Sequence, residues 1–476
     1  MGLKKNVVYN TLLTTSNYII SLITFPYVTR IFGVANLGKV DFVTNVVSYF
    51  LLFSTMGVGI IGVREIAKAR NNQENLNSTF SSLLFLNLTY TLITLVVYIA
   101  FVFISDKFVD LRLLFIIGSL QIVFNAFLVE WLFRGLEKFA YITLRTIALK
   151  VIYTILVFIL IRDTDDYNIY YILTTGLLIT NSVFNIFYAR KYVSFSIKSI
   201  IIKEYIKNTL LVGLYSIMTS MYTTFNVAFL GFVHGTTEVG FYTTALKFYT
   251  IILGVYTAVS TAMLPRGAYL ISENKINEFN SLIDKTFALL FSIALPLIVF
   301  SEFFSNELIY IIAGDGYDLS IPLFRIIIPL VLVVGIAQIL AFQIIIPYGK
   351  DHIIVKASIV GAILGIVSNI ALVPGYGAYG TCLVLIISEL GVTLTYIFIT
   401  RKENVFFFPI KLLMKYILIG IPYLIILSIL NHLLNNVYLV MAVSMILFFT
   451  YFLLTESKYN KTGVICNIIS KLKLFR

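Results

Sequence analysis

Charged residues are scarce in this chain of 476 residues. Asp, Glu, Lys and Arg together make up 12% of it, whereas hydrophobic residues make up 59%. A soluble fold of this length could not bury so much apolar side chain. The mean hydropathy of +0.95 therefore predicts a protein that spans a membrane many times.

Cysteine and histidine are nearly absent, which excludes several kinds of site. The two cysteines, Cys382 and Cys466, form no CxxC motif, and the three histidines are scattered. We therefore predict neither a disulfide framework nor a metal site. No GxxxxGK[ST] motif occurs, so the sequence contains no P-loop ATPase.

The formal net charge of +12 would suggest a nucleic-acid partner in a soluble protein. These charges lie mainly in alternate loops, however, and we predict no nucleic-acid partner.

Long apolar runs fill the rest of the sequence, and each is long enough to cross about 30 Å of hydrocarbon as a helix. We predict fourteen spans, at residues 7–31, 40–62, 79–104, 111–133, 140–161, 169–189, 209–233, 240–264, 286–304, 321–346, 353–373, 378–400, 411–431 and 437–455.

The basic residues define the orientation of these spans. Of the 35 Lys and Arg residues, 26 fall in the loops and termini of one side and 5 on the other side. The positive-inside rule then places both termini in the cytoplasm. The inner stretches near 190–208 and 265–285, and the basic C-terminal tail, have patterns typical of amphipathic helices on anionic headgroups, although plain linkers fit equally well.

A repeat of 202 residues relates the two halves of the chain. GVANLG at 33–38 recurs as GTTEVG at 235–240, and Arg64 recurs as Arg266. Six spans separate the copies, which keeps their orientation unchanged. We therefore expect an all-α membrane protein with two parallel six-helix lobes around a central cavity, plus two accessory helices. The predicted domains are 1–208, 209–400 and 401–476, the last containing spans 13 and 14 and a basic cytoplasmic tail.

Ionisable residues inside spans are costly and usually face an interior cavity, so they are the candidate functional residues. The basic ones are Arg145, Lys150, Lys247 and Arg325, with Arg30 at the outer end of span 1; the acidic ones are Asp41, Glu130 and Glu389. Because the balance is cationic, an anionic substrate such as a phosphate or pyrophosphate is favoured.

Several of these residues also have a structural interpretation. Arg30 and Asp41 could pair with one another at the outer surface. Glu130 stands four residues before Arg134, a favourable order for a helical ion pair. Arg145 lies close enough to the inner surface for its side chain to reach water. Lys150, Lys247, Arg325 and Glu389 are harder to explain in this way.

Five segments resemble a known family of polysaccharide exporters. They are FPYVTRIFGVANLGKVDF (25–42), EWLFRGLEKFAYIT (130–143), AMLPRGAYL (262–270), IIIPYGKD (344–351) and NIALVPGYGAYGTCLVLIISE (369–389). In order and spacing they are similar to the O-antigen or repeat-unit flippases of the multidrug/oligosaccharidyl-lipid/polysaccharide superfamily. This resemblance implies two lobes around a central cavity. It also implies movement of an undecaprenyl-pyrophosphate-linked sugar unit from the inner to the outer leaflet of a bacterial cytoplasmic membrane.

The resemblance also implies roles for individual residues. Basic cavity residues would bind the anionic head group, and Lys247, Arg325 and Arg30 are carried over for this role, while Lys150 is added for its depth alone. An ion gradient would replace ATP, so H⁺ or Na⁺ would be the coupling ion and no other cofactor is expected. The candidate coupling residues are Glu389, Glu130 and Asp41, because buried carboxylates exchange protons or bind sodium.

Three alternatives stay open at this point. A flippase for a peptidoglycan lipid precursor shares the fold and the pyrophosphate chemistry. A cation-coupled multidrug exporter of the same superfamily would prefer an acidic interior, whereas this interior is net basic. A membrane polymerase or ligase would need a sizeable outer loop, and the longest outer loop, around 305–320, is too short. The expected partners are the lipid-linked oligosaccharide and membrane lipids, with a polysaccharide polymerase and its chain-length machinery as further partners.

Overall fold

The computed structural model describes residues 3–104, 106–197, 200–434 and 436–455, and regular secondary structure in these ranges is helical throughout. The α-helices in chain order are α1 (Leu3–Thr55), α2 (Val58–Ala69), α3 (Gln73–Ile104), α4 (Arg112–Asn125), α5 (Glu130–Gly135), α6 (Phe139–Leu160), α7 (Tyr167–Ala189), α8 (Lys203–Thr223), α9 (Phe225–His234), α10 (Thr236–Ser272), α11 (Ile276–Phe303), α12 (Ser305–Ala313), α13 (Ser320–Ile327), α14 (Leu330–Gln338), α15 (Asp351–Lys402), α16 (Ile410–Leu433) and α17 (Val437–Thr455).

The first helix contains two spans joined at a glycine. Gly33 has φ 64° and ψ 179°, a conformation outside the helical region that glycine adopts without strain. On one side of it, the Tyr27 hydroxyl donates to the carbonyl of Ile161 at 2.7 Å. On the other side, the Asn36 amide donates to the carbonyl of Thr164 at 2.8 Å. Both flanks of Gly33 thus contact one loop, as expected where the chain turns between spans 1 and 2.

Helix α15 is also a pair of spans, folded into a hairpin at Gly377 (φ 53°, ψ −129°). A Cβ atom placed on Gly380 would lie 2.6 Å from the carbonyl oxygen of Leu372, and one on Gly391 would lie 2.3 Å from Leu364. Leu372 meets Gly380, whereas the earlier Leu364 meets the later Gly391, so the two halves run antiparallel. Glycine at the crossing points allows the halves to approach this closely.

Ion pairs close the open end of this hairpin. Glu403 accepts from Lys350 at 2.9 Å and from His352 at 2.9 Å. The hydrogen bonds from His352 and Lys350 hold the pKa of the Glu403 carboxyl below its ordinary value. Both ends of α15 are therefore tied together on the side that the sequence predicts to be cytoplasmic.

All fourteen predicted spans coincide with helices. Nine helices of the described residues are long and apolar enough to cross a membrane, or ten when the bent pair α8–α9 counts as one span. Helices α1 and α15 hold two predicted spans each. A straight helix of 53 residues would extend about 80 Å, far more than the roughly 30 Å of hydrocarbon that one span crosses. Helices α10 and α17 are not among the nine helices that meet this criterion of length and hydropathy, but each holds one predicted span. The protein is a multi-pass membrane protein.

The structure differs from the prediction of surface helices in the inner stretches 190–208 and 265–285. Helix α10 continues to Ser272 and α11 begins at Ile276, so residues 265–285 belong to the ends of two long helices. In the stretch 190–208, α8 begins at Lys203 and simply extends span 7 inward. The amphipathic pattern at both places reflects helix ends at the membrane boundary. The C-terminal tail, residues 456–476, lies outside the described residues.

The 202-residue repeat is visible in the backbone. Gly235 has φ 87° and ψ 178°, nearly the conformation of Gly33, its partner in the repeat. The next glycines of the two motifs pack reciprocally. A Cβ atom on Gly38 would lie 1.9 Å from the carbonyl oxygen of Thr236, and one on Gly240 would lie 2.3 Å from that of Val34. Since Val34 and Thr236 are also 202 residues apart, equivalent residues of the two copies meet.

By internal contacts the chain divides into two compact units. Unit 1 consists of Met1–Thr244, Tyr310–Tyr317 and Gly365–Val384, and unit 2 consists of Ala245–Ile309, Asp318–Leu364 and Leu385–Arg476. Unit 1 therefore includes two separate segments from the second half of the sequence, Tyr310–Tyr317 and Gly365–Val384. The domain boundaries at 208 and 400, which follow the repeat, stay a prediction.

The close approach at Gly38 leads to the first prediction. Gly38→Ala should lower the melting temperature of the purified protein by several degrees, because its methyl group meets a backbone carbonyl that cannot move alone; overpacking of this kind costs about 1–3 kcal/mol. Gly176→Ala, on a helix where an added Cβ meets nothing within 4 Å, is the matched control. Equal melting temperatures for the two variants would contradict the reciprocal packing.

Candidate functional site

An ion-paired cluster surrounds Glu130 at the start of α5. Its Oε2 atom accepts from Arg134 Nη2 at 3.2 Å, and its Oε1 atom accepts from Arg145 Nη2 at 3.0 Å. The helical pair with Arg134 was predicted from the spacing. The interpretation that Arg145 reaches the inner surface is wrong, because 7% of its side chain is exposed and it also donates to Asn185 Oδ1. The negative charge of Glu130 attracts the buried guanidinium of Arg145, and this attraction offsets the free-energy cost of removing that guanidinium from water.

Arg30 contacts backbone carbonyls at the end of a helix. Its Nη2 atom donates to the carbonyls of Tyr310 at 3.2 Å and Ile311 at 2.6 Å, in the last turn of α12. A cation at this end is favourable, since the last carbonyls of a helix are unpaired and carry partial negative charge. Gly314 leaves room for the Arg30 side chain, because a Cβ atom there would lie 2.9 Å from Arg30 Cγ. Arg30 thus anchors the segment Tyr310–Tyr317 within unit 1.

Asp41 lies close to Arg30 in the sequence but bonds to a repeat-related residue. Its Oδ2 atom accepts from the Thr243 hydroxyl at 2.5 Å. Asp41 and Thr243 are 202 residues apart, so this bond also joins equivalent positions of the two copies. Lys150, also in unit 1, donates from Nζ to Asn17 Oδ1 at 2.6 Å and so links α6 to α1.

Three predicted site residues belong to unit 2. Arg325 in α13 donates from Nε to the Ser305 hydroxyl at 2.6 Å, and the residue is exposed. Lys247 is half-buried in α10. Glu389 in α15 is 8% exposed and has no hydrogen-bond or ion-pair partner within the part of the chain that the structure describes. The roles of all seven predicted residues stay a prediction.

A cavity in unit 1 brings together residues that sequence reasoning missed. Its volume is about 510 Å³, and its polar lining comprises Thr55, Asn87, Asn125, Glu130, Trp131 and Arg134. Among these, only Glu130 was predicted as a site residue. The signal available in the sequence was weak: Asn87 and Asn125 interrupt apolar spans, and Trp131 is the single tryptophan of the chain.

The described helices define the class of protein as a multi-pass helical membrane protein. Comparison with solved structures agrees on the fold. Over 96% of this chain and all of the other, the fold is similar to "Lipid II flippase MurJ, inward closed conformation", with a TM-score of 0.77 and 16% identity. A multidrug resistance MATE family transporter of the MOP superfamily, in an inward-facing conformation, matches 81% of this chain and 94% of its own with a TM-score of 0.61 and 16% identity. Both have a two-lobe fold of fourteen helices.

The chain belongs to the family described as "Polysaccharide biosynthesis protein", which matches residues 3–271. The MatE family matches residues 212–371. Two curated relatives are each called "Putative O-antigen transporter". The one from Shigella dysenteriae is 28% identical over 402 residues, 82% of this chain and 98% of its own length. The one from Escherichia coli (strain K12) is 23% identical over 410 residues, 85% of this chain and 98% of its own. The family, the names of these relatives and the fold support a transporter.

Proposed function

We propose that this protein flips an undecaprenyl-pyrophosphate-linked oligosaccharide repeat unit, of the O-antigen or capsule type, from the inner to the outer leaflet of the bacterial cytoplasmic membrane. The observation that carries this proposal is the nearly full-length similarity to two putative O-antigen transporters. The net basic set of intramembrane charges supports an anionic head group. The repeat of six spans supports movement by alternating access.

The mechanism follows from the cost of moving the substrate. A pyrophosphate cannot enter hydrocarbon unprotected, because the desolvation of a charged group costs far more than thermal energy supplies. Lys247 and Arg325 in unit 2 would replace part of its hydration with fixed donors, and Arg30 and Lys150 would offer such donors in unit 1. The lipid tail would stay in the bilayer. Because the sequence has no P-loop, we propose that an H⁺ or Na⁺ gradient supplies the energy, with Glu389 as the leading coupling residue.

Contacts around three of these residues refine their proposed roles. Glu130 is occupied by two guanidinium groups, which favours a structural role over ion coupling. Arg30 bonds to helix carbonyls, so it would need to leave α12 before it met a head group. Asp41 would similarly have to exchange its bond with Thr243. Lys247, Arg325 and Glu389 are therefore the residues on which the proposal mainly depends.

Loss of the gene in its own bacterium tests the proposed function. Surface polysaccharide should disappear while sugar-bearing undecaprenyl lipids accumulate in the inner leaflet. A block in peptidoglycan synthesis with intact surface polysaccharide would instead identify the peptidoglycan precursor as substrate. Sensitivity to cationic drugs alone would identify a multidrug exporter. In the proposed pathway, a polysaccharide polymerase and chain-length machinery would then use the product at the outer leaflet.

The proposed orientation, with both termini in the cytoplasm, has its own test. Cysteines placed singly at Lys191 and Asp165, in a background with Cys382 and Cys466 replaced, should react with an impermeant maleimide from opposite sides of sealed vesicles. Lys191 should react from the cytoplasmic side. Labelling of both positions from one side would contradict the predicted topology.

A further inference from the structure

The cavity in unit 1 lies where two spans are broken. Between α1 and α2, Met56 and Gly57 have φ 37° and φ 77°; between α4 and α5, Val129 has φ 34°. Thr55 and Val58 beside the first break, and Val129 at the second, line the cavity. Left-handed backbone at residues other than glycine is strained and concentrates at functional sites. Broken spans in transporters likewise occur where backbone lines a binding cavity.

The side chains in this cavity offer both donors and acceptors. Asn87 and Asn125 supply amides, Glu130 a carboxylate, Arg134 a guanidinium and Trp131 an indole. A hydroxyl group both donates and accepts, so a ring that carries several hydroxyl or acetamido groups matches such a mixed set. The indole of Trp131 adds apolar surface to this lining. Binding sites for small ligands are typically lined mainly by apolar and aromatic side chains, and a few polar groups orient the ligand.

Two residues that line the cavity each have a buried polar atom with unused hydrogen-bonding capacity. Asn87 is 3% exposed and Trp131 is 6% exposed, yet Asn87 Oδ1 and Trp131 Nε1 have no hydrogen-bond partner within the described ranges. Buried groups of this kind are usually satisfied, and an unpaired one destabilises the structure. A ligand that supplied a donor to one and an acceptor to the other would recover part of that cost.

The charges of the cavity argue against the other ligand classes. Glu130 is already paired with Arg134 and Arg145, so it does not offer an isolated carboxylate to a cationic drug. The same carboxylate would repel a pyrophosphate that came close to Arg134. A neutral, polyhydroxylated group meets neither obstacle.

We propose that this cavity binds a sugar ring of the lipid-linked oligosaccharide, so that the transporter recognises the carbohydrate in unit 1 separately from its pyrophosphate. The proposal rests on the proposed function. Asn87 and Trp131 position the ring by hydrogen bonds, and Asn125 adds a third bond from the opposite side of the α4–α5 break.

The single tryptophan allows a direct test, because all indole emission of this chain comes from Trp131. The purified protein in nanodiscs is titrated with undecaprenyl pyrophosphate that carries the native repeat unit, and separately with undecaprenyl pyrophosphate without sugar. We expect the emission of Trp131 to change with the sugar-bearing lipid and to stay constant with the bare lipid. Equal responses to the two lipids would overturn the proposal.

A matched pair of asparagines separates binding from folding. Asn87 and Asn181 are both buried, and the Oδ1 atom of each lacks a partner among the described residues, but only Asn87 lines the cavity. Asn87→Ala and Asn125→Ala should weaken binding of the sugar-bearing lipid about tenfold, the loss expected for about 1.4 kcal/mol. Asn181→Ala should not, and bare-lipid binding should be unchanged in all three. Similar losses in Asn87→Ala and Asn181→Ala would reject the sugar site; absence of binding by either lipid would count against the proposed function itself.

Discussion

Replacement of Lys247 and Arg325 together by Ala should abolish export of surface polysaccharide while the protein remains at normal abundance in the membrane. A hydrogen bond to a charged group contributes about 1.5–3 kcal/mol, so each single variant should lose about tenfold or more of its activity. Two such losses bring export below detection. Export is measured by complementation of the deletion strain, with membrane levels checked by blot.

The charge-preserving variants sharpen this prediction. Lys247→Arg should retain more activity than Lys247→Ala, and Lys247→Glu should be the least active, because it repels phosphate as well as removing a donor. Lys203→Ala with Lys207→Ala removes two exposed charges from the start of α8 and serves as the control. Full export by the Lys247→Ala, Arg325→Ala protein would reject the proposed basic path.

Glu389→Gln should leave the protein inserted and folded but make transport insensitive to the ion gradient. The side chain is 8% exposed, and the described residues provide it with no hydrogen bond or ion pair. A carboxylate buried in this way is costly unless a proton or a cation neutralises it. Transport into vesicles is compared with and without imposed proton and sodium gradients.

The control for this experiment is Glu273→Gln, which removes an exposed carboxylate at the end of α10. It should keep the gradient dependence of the unmodified protein. If the unmodified protein itself ignores both gradients, the coupling proposal fails, and Glu389 has another role. If Asp41→Asn abolishes the dependence and Glu389→Gln does not, the coupling site lies at Asp41.

The helical framework was predictable from the sequence because hydrophobic length and charge asymmetry are local properties. The repeat was predictable for the same reason. GVANLG and GTTEVG contain the glycines that the backbone needs at Gly33 and Gly235, where φ is positive. The sequence could not show that Gly38 and Gly240 meet the other copy, since this depends on how two helices cross.

The surroundings of the candidate residues were less predictable. Arg145 has the spacing of a residue near the inner surface, but its partners Glu130 and Asn185 come from other helices and keep it buried. Arg30 likewise reaches carbonyls about 280 residues away in the sequence. The cavity around Asn87 and Trp131 requires helices α1 to α5 and two backbone breaks to come together. No local pattern contains that information.

The most direct measurement of the central claim is translocation by the purified protein. Liposomes that contain the protein and an undecaprenyl-pyrophosphate-linked repeat unit are assayed for the fraction of sugar accessible to an external glycosidase over time. We expect the protein to move the sugar between leaflets much faster than protein-free liposomes do, and the Lys247→Ala, Arg325→Ala variant to match the protein-free rate. A rate equal to that of protein-free liposomes for the unmodified protein, under an imposed proton or sodium gradient, would contradict the proposed function.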